Sequence, residues 1–263
     1  MSAPGTAVIA AAFASSGKRA ALMPYLMGGF PTLEGSRAVG DAYAEAGADL
    51  VELGVPFSDP LADGPVIHAA GTAALAAGAT LPGVLEVGRG LAETVAVVLM
   101  CYANVIYARG AERFAAELAE RGISGLIVPD LPLEEAAQIR DACDAAGVAL
   151  VPLVAPTTPD DRLAAIGEQA RGFVYTVSVT GTTGERTALD GGLAGILDRT
   201  KARTSVPVAL GFGIGTPEAA AAAAAAGADG VIVGSRLVRA AAEGDDPAAA
   251  VQPLVAGFAA ALR

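Results

Sequence analysis

Residues 51–65 read VELGVPFSDPLADGP, an acidic loop that directly follows a short apolar run. Val51 and Leu53 favour a strand, and Gly54 ends it. Glu52 is therefore predicted at the carboxyl end of that strand, where its side chain faces whatever lies above the sheet. A carboxylate at this position is the first candidate for chemistry.

Two further acids, Asp59 and Asp63, lie in the loop itself. Pro56, Pro60 and Pro65 restrict the backbone around them and reduce the entropy lost when the loop becomes ordered. The loop is therefore suited to holding a carboxylate at a fixed position.

Strand-like apolar runs alternate with helical patterns along the whole chain, which is typical of parallel βα units. The predicted strands span residues 21–27, 50–53, 95–101, 125–128, 149–154, 172–177, 206–210 and 230–233. Eight βα pairs in a chain of 263 residues predict an α/β fold, a single (β/α)8 TIM barrel over residues 1–263. An extra N-terminal helix near residues 7–16 and extra helices in the βα loops complete the prediction.

The carboxyl ends of barrel strands meet at one mouth, so residues after different strands share one site. The polar and aromatic residues expected around this mouth are Glu52, Tyr102, Asn104, Asp130, Tyr175 and Phe212. A hydrophobic lining of this mouth is predicted from Tyr25, Phe30, Met100, Ile127, Tyr175 and Phe212.

Three glycine-rich segments follow the late predicted strands: GTTGE at 181–185, LGFGIGTP at 210–217 and VGSR at 233–236. Glycine allows backbone N–H groups to converge on an anion, and a helix predicted to begin near Ser235 adds its N-terminal dipole. Because barrels often bind phosphate after these strands, the sequence predicts a phosphate site there. The polar segment 178–192 is longer than most βα connections and is predicted to be a mobile lid.

The net charge of −11 argues against nucleic acid or an anionic membrane as partner, because both require clustered basic residues. Cys101 and Cys143 have no metal-ligand spacing and fit a reduced, cytoplasmic compartment. Lys18 and Lys201 do not follow a strand into the mouth, which disfavours a Schiff-base mechanism. With His68 as the single histidine, a metal site is not expected either.

The residues ELGVPFSDPLADGP, 52–65, resemble the signature of the tryptophan synthase alpha subunit family, with three acids and three prolines at matching spacings. The resemblance implies retro-aldol cleavage of indole-3-glycerol phosphate to indole and glyceraldehyde 3-phosphate, without a cofactor in this chain. It also implies that Glu52 and Asp63 are the catalytic pair.

The same resemblance assigns roles to further positions. Substrate binding is expected at Tyr25, Met100, Tyr102, Ile127, Asp130, Tyr175, Thr183 and Phe212, and phosphate binding at Gly184, Gly213, Gly234 and Ser235. Thr183 is expected to touch the catalytic aspartate when the lid closes. Asp59 is expected to face a pyridoxal-phosphate beta subunit in an α2β2 heterotetramer that makes tryptophan.

Several alternatives remain open at this point. Glu52 could be a strand-end carboxylate paired with arginine, and Tyr175 could be core packing. His68 is read as a surface or capping residue, and Arg236 as either a phosphate contact or solvent-facing. A phosphosugar isomerase, a stand-alone indole-releasing lyase and a non-catalytic activator of a beta subunit are the rival functions.

Overall fold

The computed structural model describes residues 4–177, 193–211 and 213–263. Its parallel strands are β1 Ala21–Met27, β2 Leu50–Gly54, β3 Ala96–Met100, β4 Gly125–Ile127, β5 Ala149–Val151, β6 Leu153–Val154, β7 Val174–Val177, β8 Val208–Gly211 and β9 Gly230–Val233. The predicted boundaries agree with these within two residues, apart from an interruption in the fifth predicted strand.

Helices follow nearly every strand in the described part of the chain. They are α1 Gly5–Ser15, α2 Leu33–Glu45, α3 Pro65–Ala76, α4 Leu81–Leu91, α5 Ala103–Arg109, α6 Ala111–Glu120, α7 Ala137–Ala146, α8 Asp160–Gln169, α9 Leu193–Lys201, α10 Pro217–Ala225, α11 Ser235–Glu243 and α12 Pro247–Ala261, with a 3-10 turn at Leu133–Glu135. The predicted TIM barrel, its N-terminal helix and its extra loop helices are confirmed.

The barrel closes at Pro152. The strand order is β5-β4-β3-β2-β1-β9-β8-β7-β6, so its two outermost strands are the two halves of one predicted strand. Proline has no N–H to donate to a strand ladder, which explains the interruption. The Pro152 carbonyl still accepts the Tyr175 N–H at 2.9 Å and joins the seam.

Side chains alternate across the barrel wall, as the two-residue period of a strand requires. In β2, Val51 and Leu53 belong to the outer core against the helices, whereas Leu50 belongs to the core inside the barrel. Glu52 shares the side of Leu50 and therefore points inward, above the interior core.

Helix α1 covers the amino-terminal end of the barrel. Ile9 is fully buried within the interior core, and the Phe13 ring lies 5.8 Å from the ring of Phe173, just before β7. The Gly5 N–H donates to the Gly147 carbonyl at 2.6 Å. This leaves the carboxyl ends of the strands as the open face.

Two carboxylates tie neighbouring strands together at the amino-terminal end. Asp49 accepts the Leu22 N–H at 2.7 Å and pairs with Lys18 at 2.8 Å, with both side chains less than a tenth exposed. Asp229 pairs with Lys201 at 2.7 Å, but these side chains are more than a third exposed. Both acids belong to the repeated GAD sequence.

No single helix among the described residues has the length and apolar composition needed to span a membrane. The bent pair α3 and α4, which meet at 111°, meets those criteria only when the two are taken together.

Candidate active site

Glu52 lies at the centre of the mouth. Its Cα is in register with Tyr25 of β1 and Val98 of β3, and the side chain is 1% exposed. Its Oε2 atom has no hydrogen-bond partner in the described part of the chain. Burial, and secondarily the negative charge of Asp63, raise the pKa of Glu52 to about 8.

Asp63 is half-buried immediately before α3. Burial raises the pKa of Asp63 above its usual value, while the hydrogen bond from Tyr102 and the nearby His68 oppose this rise. The amino-terminal end of α3 also favours a negative charge at this position. The two catalytic candidates therefore lie close enough to influence each other electrostatically but have different surroundings.

Tyr102 anchors the acidic loop. Its hydroxyl accepts the Ala62 N–H at 3.0 Å and lies near the Asp63 carboxylate, whose pKa it lowers. Its ring packs 5.3 Å from the ring of Phe57, and the residue is 4% exposed. Burial raises the pKa of Tyr102 to about 12, so the hydroxyl remains a donor at neutral pH.

Two buried tyrosines flank Glu52. Burial raises the pKa of Tyr25 and of Tyr175 well above the usual range, and the charge of Glu52 adds to both effects. The Tyr25 ring occupies the space above Gly54, and the Tyr175 ring the space above Gly211, so that a methyl group at either glycine would collide with a hydroxyl. Glycine at these strand ends therefore makes room for the rings.

The predicted apolar lining assembles between these groups. Ile127 is part of the interior core, and Met100 packs against both that core and the cluster that contains Tyr25. Phe30 packs against the same cluster as a half-buried ring. The mouth thus has an apolar floor, with the Glu52 carboxyl group above it and Asp63 in the adjoining acidic loop.

The described part of the predicted phosphate site lies beside Tyr25. Gly213 has φ +84°, a conformation that favours glycine, and Gly234 immediately precedes the first residue of α11, Ser235. A Cβ at Gly234 would lie 3.7 Å from the Tyr25 Cβ. Half-buried Arg236 occupies the first turn of α11.

Four predictions fall outside the described residues. These are Thr183, Gly184, Phe212 and the lid at 178–192.

The remaining predicted residues lie at the rim. Asp130 is half-buried, and its Oδ1 accepts the Ala103 N–H, the first of α5, at 2.9 Å. Asp59 is exposed and accepts the Ser58 hydroxyl, and His68 is exposed on α3. In the described ranges, no three His, Cys, Asp or Glu side chains are placed to hold a metal ion.

The sequence analysis did not predict three features of this rim. It did not predict that Tyr102 binds the acidic loop or that Phe57 packs on its ring. It also missed two exposed large apolar side chains, Leu61 at 78% and Tyr107 at 50%. The sequence did carry one signal of this exposed apolar surface, because Leu61 stands alone between Pro60 and Asp63 in an acidic loop.

Comparison with known proteins identifies one family over nearly the whole chain. The family profile described as "Tryptophan synthase alpha chain" matches residues 12–260. A tryptophan synthase alpha chain of Prochlorococcus marinus is 50% identical over 223 residues, covering 84% of this chain and 81% of the relative. That of Methanosarcina mazei is 48% identical over 229 residues, covering 87% and 84%.

Solved structures give the same result. A structure of Mycobacterium tuberculosis tryptophan synthase superposes with a TM-score of 0.91 at 38% identity, covering 100% of this chain and 99% of that one. A structure concerning mutual activation of the tryptophan synthase a2b2 complex of Pyrococcus furiosus superposes with a TM-score of 0.86 at 36% identity, covering 92% and 98%.

Proposed function

The chain belongs to the tryptophan synthase alpha chain family, and from this premise we propose that Glu52 and Asp63 cleave indole-3-glycerol phosphate to indole and glyceraldehyde 3-phosphate. One observation carries the assignment of roles: a fully buried carboxyl group with a pKa of about 8 lies next to a second, hydrogen-bonded carboxylate. Such a pair divides acid and charge-stabilising tasks between two residues.

Glu52 supplies and removes the protons. With a pKa of about 8 it is mostly protonated at pH 7 and can donate its proton to C3 of the indole. The resulting Glu52 carboxylate then accepts the proton of the substrate's hydroxyl group, on the carbon attached to C3 of the indole. The C–C bond breaks, its electron pair returns to the ring, and indole and the aldehyde are released while Glu52 is again protonated.

Asp63 stabilises the cation formed between these two steps. Protonation at C3 places positive charge on the indole nitrogen, and a carboxylate about 4 Å away offsets it by roughly 4 kcal/mol at an effective dielectric near 20. The hydrogen bond from Tyr102 favours the ionised form of Asp63 that this task requires.

The rest of the mouth binds the substrate. We assign the ring to the floor of Tyr25, Met100, Ile127 and Tyr175, and the phosphate to the backbone around Gly213, Gly234 and Ser235. Thr183, Gly184 and Phe212 keep the roles predicted from sequence. The substrate's own ring accepts the electron pair, so the reaction requires no cofactor in this chain.

The partner is the tryptophan synthase beta subunit, which receives the indole for tryptophan synthesis. We propose an α2β2 assembly in the cytoplasm, with the pyridoxal phosphate held by the beta subunit. Exposed Asp59 lies in the acidic loop that the sequence assigns to the partner face.

The test is indole release from indole-3-glycerol phosphate by the purified chain, alone and with a beta subunit, compared with Glu52→Gln. We expect slow release alone, faster release with the beta subunit, and a loss of at least about 10²-fold in the variant. Release that ignores the partner would instead support a stand-alone lyase. A fully active Glu52→Gln variant would disprove the proton-transfer role.

A further inference from the structure

Asp130 accepts the Ala103 N–H at the start of α5, and this contact is connected to Asp63 through the neighbouring residue Tyr102. We propose that Asp130 is a positioning residue, which fixes the catalytic Asp63 carboxylate through the amino-terminal end of α5 and the Tyr102 hydroxyl. This inference rests on the proposed role of Asp63.

The first link is the start of α5. The helix has seven residues, and Tyr102, the residue before it, makes no side-chain capping bond of its own. Asp130, at the end of the neighbouring strand β4, supplies the missing acceptor by taking the Ala103 N–H at 2.9 Å. An unsatisfied N–H at a helix start is unfavourable, so this contact fixes where α5 begins.

The second link is Tyr102 itself. Because it directly precedes Ala103, the position of its backbone depends on the same contact. Its ring is buried against Phe57, and its hydroxyl accepts the N–H of Ala62, the residue directly before Asp63, and lowers the pKa of the Asp63 carboxylate. A shift at the start of α5 therefore displaces the hydroxyl from a carboxylate that must stay within about 1 Å of its working position.

The third step concerns charge. The titratable side chains that influence Asp63, or are influenced by it, are Glu52, Tyr25, Tyr102 and His68. Of these, Tyr102 is the hydrogen-bond donor to the carboxylate, and it lowers the pKa of Asp63. Loss of the Tyr102 contact should therefore raise the pKa of Asp63. The acid limb of the pH profile of kcat for indole release should then move to higher pH.

The experiment compares Asp130→Ala, Asp130→Asn and Tyr102→Phe, plus the Asp130→Ala/Tyr102→Phe double variant, in the complex with the beta subunit. Asn retains an oxygen acceptor for the Ala103 N–H, whereas Ala does not. Asp246→Ala is the matched control, since Asp246 accepts the N–H groups of Ala248 and Ala249 at the start of α12, away from the mouth.

We expect Asp130→Ala to lower kcat by about 10–100-fold with little change in KM, and Asp130→Asn to restore most of it. The acid limb should move upward in Asp130→Ala and in Tyr102→Phe but not in Asp130→Asn, and Asp246→Ala should lower Tm without changing kcat or the acid limb. In the Tyr102→Phe background, Asp130→Ala should have little further effect on kcat, because both substitutions act on Asp63 through the same Tyr102 hydroxyl.

Three results would overturn the inference. A raised KM with additive effects of the two substitutions would mean that Asp130 binds substrate directly. A lowered Tm with unchanged kcat in Asp130→Ala would mean that Asp130 is only a structural helix cap. An Asp130→Asn variant as inactive as Asp130→Ala would exclude the acceptor role. If the wild-type complex itself releases no indole, the proposed function fails and this inference fails with it, whereas the three results above overturn the inference alone.

Discussion

Glu52 is a functional group that the fold holds at an energetic cost. Its side chain is buried, and one oxygen is unpartnered within the described chain. Because the pKa of this carboxyl group is raised from 4.5 to about 8 in the folded protein, the folded state becomes less stable as the pH rises through that range. Below pH 4.5 there is no such penalty, because the group is protonated in both folded and unfolded chains.

Replacing Glu52 with Gln should therefore stabilise the protein at alkaline pH. We expect the free energy of unfolding to increase on the order of a few kcal/mol at pH 9 and to change little at pH 4.5, because Gln removes only the ionisation cost. Urea unfolding at both pH values measures this difference. The exposed Glu120→Gln on α6 serves as control, and an equal gain at both pH values would contradict the assigned cause.

In the proposed mechanism the same group sets the alkaline limit of activity. If protonated Glu52 donates the first proton, as proposed, kcat/KM for indole release should fall about tenfold per pH unit above a pKa of about 8. Initial rates of the complex between pH 6 and 10 test this. A rate that stays flat to pH 10 would mean that another group is the acid.

At the scale of elements, the two GAD segments place chemically identical ion pairs in different surroundings. Lys18 and Asp49 are 8% and 9% exposed, and Lys201 and Asp229 are 40% and 36% exposed. Removing one partner of a buried pair leaves a desolvated charge, whereas an exposed partner regains water.

Lys18→Ala should therefore destabilise the barrel by roughly 3–5 kcal/mol, because Asp49 is left buried and unpaired. The matched variant Lys201→Ala should cost less than about 1 kcal/mol. Urea unfolding at pH 7 compares the two directly. Equal losses would show that burial does not govern the strength of these pairs.

The elements were more predictable than the contacts between them. Short apolar runs located the strands that the structure describes, and among these only the fifth predicted strand is interrupted, at Pro152, because proline lacks the ladder N–H. The Tyr102–Ala62 contact, by contrast, spans 40 residues and the Asp130–Ala103 contact 27. No periodicity encodes such pairings, since they depend on which strand ends become neighbours after the barrel closes.

At the scale of the molecule, one side of the mouth carries exposed apolar surface. Leu61 follows β2 and Tyr107 follows β3, two adjacent strands, and the Tyr102 hydroxyl joins their loops through Ala62. Large exposed apolar side chains in one region are typical of protein interfaces. This side is the expected contact for the beta subunit.

Leu61→Asp should weaken association with the beta subunit by about tenfold or more, because it places a charge where the expected interface would bury an apolar side chain. Titration of the beta subunit by calorimetry gives the dissociation constant. Leu75→Asp, at the far end of α3, is the control because Leu75 is exposed but lies away from the mouth. Equal weakening by both substitutions would argue against this face.

The pairing of the first strand with the last also constrains the order in which the barrel can assemble during synthesis. Ala21 of β1 pairs with Gly230 of β9, so the first strand lacks this neighbour until about 200 further residues have been synthesised. At about 5–20 residues per second, ribosomal synthesis needs roughly 10–40 s to reach that point. During this interval the nascent half-barrel has unpaired strand edges on both sides, and such edges can pair with other chains. Nascent chains are therefore most exposed to aggregation before β9 emerges, however stable the finished ring becomes.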